Sequence, residues 1–397
     1  MKQEKSNNCK TEKQTIDMGE LLKQANGSFV SQAMGRLATK RKNLLLTTLG
    51  NPVQVERIAA AQIVHLLEGW LNLSASLSCL VRNEISQAKH LAYYGELRAV
   101  LSIIASSGMI LVKNKLFYVD GDGNINDING VQTHQIAWEF WINWIRTSDA
   151  KKFITQNIKL SEDLTLADIT ESVITLSSAN ERLVTAWGHD LLKIASDDHV
   201  ARNKASYGIS LAIDDVSKKI RSYVPFLEKI WSLLMPYSNS IIRFDSAMIK
   251  YIVRSVASGL EDSENSNISP SLKFEKNLAA LVDKISSNSE RLLSSFKDET
   301  DLDIFNYAID EKDAPENMIS RCLIILRIAT LAVLSNMRDQ KRIEAWIRLW
   351  LKKIVFFNER QEYDVKDAIL DYENVFTEGD MDKLTKPVAS LAWGLSL

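Results

Sequence analysis

Apolar residues recur at intervals of three and four through most of the chain, the period of a helix with one buried face. That pattern predicts a helix from Pro52 to about Leu67, with proline in its first turn. A second is expected over about 70 to 107, broken near Arg82 or Gly95, where charge or glycine interrupts it. Further helices are expected at 165–178, 179–196, 198–209 and 211–235. Two strong ones follow at about 318–336 and 340–357. One stretch departs from the period. MILVKNKLFYVD (109–120) is rich in β-branched and aromatic residues around a Lys-Asn-Lys turn, which predicts a hairpin. The loop DGDGNINDING (120–130) comes next, and Thr133 is expected to cap the helix HQIAWEFWINWIRT.

Punctuation in the pattern suggests the domain organisation. Residues 1–14 are polar and are expected to form a disordered tail. SGLEDSENSNISPS (258–271) is acidic and carries Gly259 and Pro270, the signature of a linker. Beyond it, 272–296 approaches a heptad spacing too short for a coiled coil, and 297–317 is acidic and loop-like. The expected fold is mostly all-α. A helical domain at 15–260 carries one small β-hairpin insertion near 109–120, a linker covers 261–270, and a C-terminal helical domain covers 271–397.

Composition agrees with helices and narrows the chemistry. The 397 residues include only 15 Gly and 6 Pro, the residues that turns need and helix interiors exclude. A net charge of −2 exerts no general pull on nucleic acid or anionic membranes, so any such contact must be a local patch. Cys9, Cys79 and Cys322 are far apart, with no C-x-x-C and no His/Cys cluster. Neither a disulfide framework nor a zinc site is expected, no metal or cofactor is implied, and a reducing, cytoplasmic setting fits. The N-terminus lacks the apolar core of a secretory signal. The longest apolar run, CLIILRIATLAVL (322–334), is shorter than the roughly 20 residues of a membrane span and contains Arg327. A buried helix is expected there, with no membrane contact. Phosphate-binding glycine loops, nucleophile elbows and H-E-x-x-H are missing from the sequence, which argues against nucleotide hydrolysis, triad hydrolases and zinc proteases.

Residues 197–209, DDHVARNKASYGI, carry the densest polar face. On a helix, His199, Arg202, Asn203 and Ser206 fall within about a third of the circumference, and Tyr207 borders them. This layout resembles the motif of HEPN-type helical ribonucleases, in which four to six residues separate an Arg from a following His. It also resembles the YaaC-like group of helical proteins, which carry an Arg-Asn element late in a helical domain. The resemblance covers roughly 80–235 and implies a helical domain. In HEPN proteins two copies of the motif typically meet at a dimer interface. There a His helps remove the ribose 2′-hydroxyl proton and an Arg stabilises the phosphate charge, without metal. Arg202 and Asn203 carry over to this chain. Tyr207 stands where the family has His, and a phenol, with an ordinary pKa of about 10, is a poor base at neutral pH. The resemblance therefore implies a non-catalytic interaction protein, a subunit of a prokaryotic complex of phage-defence or toxin type, bound to a protein partner or a second copy. Its catalytic alternative is a metal-independent ribonuclease using Arg202 with His199 or His90. The plain structural alternative pairs Arg202 with Asp197 or Asp198 in a buried polar network.

Four other segments carry candidate chemistry. RNEISQAKHLAYYGELRA (82–99) has a second Arg-Asn pair, Arg82-Asn83, and places Asn83, His90 and Tyr94 on one predicted face, with Glu96 and Arg98 adding charge. It either lines the same cavity as Arg202 or is an interior helix with satisfied polar groups. In 340–357, Lys341, Arg348 and Lys352, flanked by Arg342 and Lys353, lie opposite an apolar face, and only Glu344 offsets them. That helix suggests an RNA-binding alternative through phosphate contacts, against a solvated face as the plain one. Asp120, Asp122, Asn124 and Asn126 alternate as in a calcium loop. Ile125 and Val131 occupy its required Gly and Glu positions, so a solvated turn is expected. Trp138, Trp141 and Trp144 predict core packing, or an interface for a partner.

Overall fold

The computed structural model describes residues 16–39, 54–161, 164–173, 223–234, 236–237, 241–261, 303–309 and 314–336. These residues are mostly helical, with a small antiparallel sheet inserted between helices. The N-terminal helices are α1 (Met18–Gln24) and α2 (Ser28–Thr39), followed by the long pair α3 (Val55–Val81) and α4 (Ile85–Ser106). Strands β1 (Met109–Val112), β2 (Lys115–Val119) and β3 (Ile125–Asn129) lead into α5 (Thr133–Ile145) and α6 (Ser148–Asn157). Strands β4 (Lys159–Ser161) and β5 (Leu164–Thr165) precede α7 (Leu166–Val173). After α8 (Val224–Leu234) come β6 (Pro236–Tyr237), β7 (Ile241–Ile242) and α9 (Arg243–Glu261). The last described helices are α10 (Asp303–Ile309) and α11 (Pro315–Asn336).

The antiparallel α3–α4 pair is the frame. The period predicted two helices meeting near residue 68; α3 instead runs unbroken to Val81, because Gly69 lies inside a regular, buried helix. The break falls at Arg82–Glu84. Asn83 takes a left-handed φ of 60° there, a conformation asparagine tolerates better than most residues, and the Glu84 amide donates to the Cys79 carbonyl at 2.8 Å. Gly95 does not interrupt α4.

Helix α11 packs against both members of the pair, and every residue from Pro315 to Val333 is buried. Its chain-remote partners explain why the sequence is apolar all round. Leu326 reaches Gly69 of α3, Cys322 reaches Gly95 of α4, and Arg327 pairs with Asp245 of α9. Both α3 and α11 have the length and hydropathy of a membrane span, and most of each is covered by the rest of the fold. Thr330 Oγ1 accepts a hydrogen bond from the Trp70 indole at 3.1 Å, fixing the register of α11 along α3.

The expected hairpin is present as β1–β2, with Met109 opposite Tyr118. The segment taken as a loop adds β3, antiparallel to β2 with Val119 opposite Ile125. Its sequence INDIN is polar at alternate, exposed positions, so it lacks the apolar content that marks a strand. Asp120 organises the connection. Its carboxylate accepts from the Asp122 and Asn124 amides at 3.0 and 2.9 Å and from Asn126 Nδ2 at 2.9 Å. This is a solvated Asx-type turn, and no group of metal-ligating side chains occurs among the described residues. Thr133 is the first helical residue of α5, with Gln132 at the cap and no side-chain cap bond. Helix α10 lies in the acidic stretch taken as loop-like; Ile304, Phe305 and Ala308 bury one face of it.

The expected linker at 261–270 starts one residue too early, since α9 runs to Glu261; its remainder, the predicted tail at 1–14, the helices at 179–196 and 198–209, the segment 272–296 and the helix 340–357 lie outside the described residues.

Candidate functional site

His199, Arg202, Asn203 and Tyr207 lie outside the described residues, as do Lys341, Arg342, Arg348, Lys352 and Lys353. The second polar segment is described, and the structure divides it. Arg82 and Asn83 sit in the exposed α3–α4 turn, not on the helical face with His90 and Tyr94. Arg82 forms a two-point ion pair with Glu84, at 3.0 Å from both Nε and Nη2, and its Nη2 also donates to Cys79 Sγ at 3.4 Å. Both side chains are about half exposed, so this clamp braces the turn with little net stability.

His90, Tyr94 and Arg98 follow one another at four-residue steps on α4 and are all half-buried. They span about 12 Å along the helix. Neighbouring helices add similar groups on both sides. From α5, His134 Nδ1 lies 2.9 Å from the Tyr93 hydroxyl, and its ring is 6.4 Å, edge-on, from Tyr94. Trp138 Nε1 donates to the same Tyr93 hydroxyl at 3.4 Å. The His90 and Tyr94 rings are 4.9 Å apart. From α3, His65 and Glu68 meet Arg98: Arg98 Nη1 is 3.0 Å from His65 Nδ1 and 2.9 Å from Glu68 Oε2. Three of the chain's five histidines thus line one strip of α4, with an arginine at one end and a tryptophan beside Tyr93.

The electrostatics at the arginine end follow from this geometry. Burial pushes the Glu68 carboxyl up, but the contacts with His65 and Arg98 outweigh it and hold its pKa below the ordinary value. His65 Nδ1 cannot both accept from Arg98 and donate to Glu68. Arg98 Nη1 lies 3.0 Å and Glu68 Oε2 3.6 Å from this nitrogen, so His65 completes one triad with Arg98 and Glu68.

Two other polar groupings are interior and structural. Arg327 binds Asp245 through two bonds of 2.7 and 2.6 Å, with both side chains buried. Glu96 is buried 3.9 Å from Arg321, whose Nη1 also donates to the Ala308 carbonyl. Burial, with the Glu96 charge beside it, pushes the Cys322 thiol well up, and burial likewise raises Cys79. Neither thiol has the lowered pKa of a nucleophile. The Trp-rich helix is mainly core: Trp141 and Trp144 are buried, their rings 5.7 Å apart, and only Trp138 is half-buried.

The α4 strip was only partly visible in the sequence. His90, Tyr94 and Arg98 were legible as an i, i+4, i+8 row. His65, Tyr93, His134 and Trp138 join it through helix packing, which no local pattern shows; the His65/Glu68 spacing of three was the one further signal. The chain matches no protein-family model, no curated protein and no solved structure.

Proposed function

We propose that the protein is a helical RNA-binding protein that holds single-stranded RNA along the α4 strip. The observation that carries this is the row His90, Tyr94 and Arg98, joined by His65 on one side and by His134 and Trp138 on the other. Half-buried aromatic faces beside a guanidinium and imidazoles combine base stacking with phosphate attraction, the two contributions that bind single strands with little sequence preference. The net charge of −2 is compatible with this, since only a local field is required. The interaction-protein and defence-complex roles implied by the HEPN-like resemblance are compatible with RNA binding and rest on that resemblance alone.

The test is anisotropy of a labelled, unstructured RNA with the full chain over a salt series. With Arg98 as the one phosphate contact, affinity is expected to fall about fivefold for a tenfold rise in salt. Tyr94→Ala should lose about 1–3 kcal/mol of binding, the range for one stacked base. Binding that ignores both salt and Tyr94→Ala removes the proposal.

A second activity is favoured by one specific feature, the half-buried His65 imidazole beside Arg98, with His90 and His134 further along the same strip. A pair of imidazoles can serve as general base and acid, and a guanidinium can stabilise the phosphate charge. Running the same reactions on a denaturing gel in chelator tests metal-independent cleavage. Products that vanish in both His90→Ala and Arg98→Ala would make the strip a ribonuclease site.

A further inference from the structure

A cavity of about 300 Å³ opens on the far side of the fold from the α3–α4 turn, at the end of α4. It is lined by the last turns of α4, α5 and α11, the junction between α1 and α2, and the first turns of α6. Its size is at the lower end for small-molecule pockets.

Its side-chain charge is of one sign. Among its lining residues the single charged group is Asp149, exposed in the first turn of α6, and none is basic. The four lining hydroxyls all donate their protons to backbone carbonyls. Ser106 and Ser107 donate to Ile103 at 2.7 and 3.2 Å, Thr147 to Trp144 at 2.7 Å, and Ser335 to Ala332 at 3.0 Å. Thr147 Oγ1 also accepts from the Ala150 amide at 3.1 Å, and the remaining capacity of all four hydroxyl oxygens is as acceptors. The Asn336 amide nitrogen is bonded to Gln62 Oε1 at 3.2 Å. Helices α4 and α11 end here with no basic residue in the last turn, whereas α2 and α6 begin here with first-turn amides capped by Asn26 and Thr147 and with Asp149 in the first turn of α6. The remaining wall is apolar, with Trp144 and Phe153 rings 6.4 Å apart and Leu22 and Ala25 beside them.

We propose that this cavity is a binding site for a small organic primary amine in its protonated form. The ammonium would donate to the acceptor-only hydroxyls and face Asp149, while its alkyl chain lies against Trp144 and Phe153. A neutral alcohol lacks the charge, an anion meets the Asp149 carboxylate, and a bare metal ion finds only one carboxylate among its ligands. The site is separate from the α4 strip, and its test does not depend on RNA binding.

The experiment is a ligand-observed NMR titration of the intact chain with n-butylammonium, tetramethylammonium and n-butanol. Butylammonium is expected to bind more tightly than tetramethylammonium, which has charge but no N–H, and butanol is expected to bind most weakly. Asp149→Asn, at an exposed position that leaves the core intact, should weaken butylammonium roughly fivefold, in line with one partly solvated charge-assisted contact. Ser335→Phe, also at an exposed position, should fill the cavity and abolish binding. A capped lysine, which carries the same ammonium on a peptide unit, separates a free amine from a protein side chain. Equal binding of butanol and butylammonium, unchanged affinity in Ser335→Phe, or tighter binding of the capped lysine would each overturn the assignment.

Discussion

Gly69 of α3 and Gly95 of α4 face each other where the two longest paired helices cross. A Cβ on Gly69 would stand 3.3 Å from the Gly95 carbonyl oxygen and 2.6 Å from Leu326, and one on Gly95 would stand 2.5 Å from Cys322 Sγ. The two backbones therefore approach more closely than side chains would allow, and α11 closes over the crossing. This contact fixes the spacing of α3 and α4, and so brings His65 and Glu68 within reach of Arg98, three residues past Gly95.

Gly95→Ala is accordingly expected to destabilise the protein by about 1–3 kcal/mol, the usual cost of overpacking a dense core. Denaturant unfolding should show a lower midpoint with an unchanged slope. An unchanged midpoint would mean that the helices are free to separate at this point.

The Arg327–Asp245 pair ties α11 to α9, and Arg327 Nη1 has no hydrogen-bond partner among the described residues. Asp245→Ala should cost about 3–5 kcal/mol by leaving the guanidinium buried and uncompensated. Replacing both residues by apolar ones of similar volume should recover most of that loss. A double-mutant cycle measures the coupling; additive single effects would show that the pair does not act as a unit.

Cys79 and Cys322 are buried, with thiols pushed above their ordinary value. Native protein treated with iodoacetamide at pH 8 should show neither modified, and both should react in denaturant. Peptide mass spectrometry reads each site separately. Fast native labelling of Cys322 would contradict the packing of α11 against α4.

The folded-state pKa of Glu68 lies below its ordinary value. The unfolded chain therefore binds this proton more readily, and the Glu68 contribution is present above the ordinary carboxylate range. It is lost as pH falls through that range toward the lower folded value. Glu68→Gln should flatten this part of the stability-versus-pH curve while leaving the neutral-pH side largely unchanged in slope. An identical acid slope in the variant would mean that Arg98 and His65 do not favour the carboxylate.

The helical class, the β1–β2 hairpin and the burial of the run at 322–334 were legible because each rests on a local period or on side-chain type. The elements that escaped are those decided by tertiary partners. Strand β3 is held by pairing to β2 and by Asp120, not by apolar content. Helix α10 is seven residues long and shows only one short apolar face. Gly69, between the two expected helices, instead lies within α3 as a packing contact with Gly95. The candidate strip divides in the same way: His90, Tyr94 and Arg98 share a helical face readable from sequence, whereas Asn83 leaves that face because the chain turns at residue 83. His65, Tyr93, His134 and Trp138 come from packing between three helices.

The most direct test of the RNA-binding proposal is where RNA touches the protein. Ultraviolet crosslinking of bound single-stranded RNA to the full chain, followed by peptide mass spectrometry, maps that contact. Crosslinks are expected on peptides carrying Tyr94 or Trp138, diminished in Arg98→Ala. Crosslinks confined to the basic segment 340–357, with the α4 and α5 peptides unmodified, would contradict it.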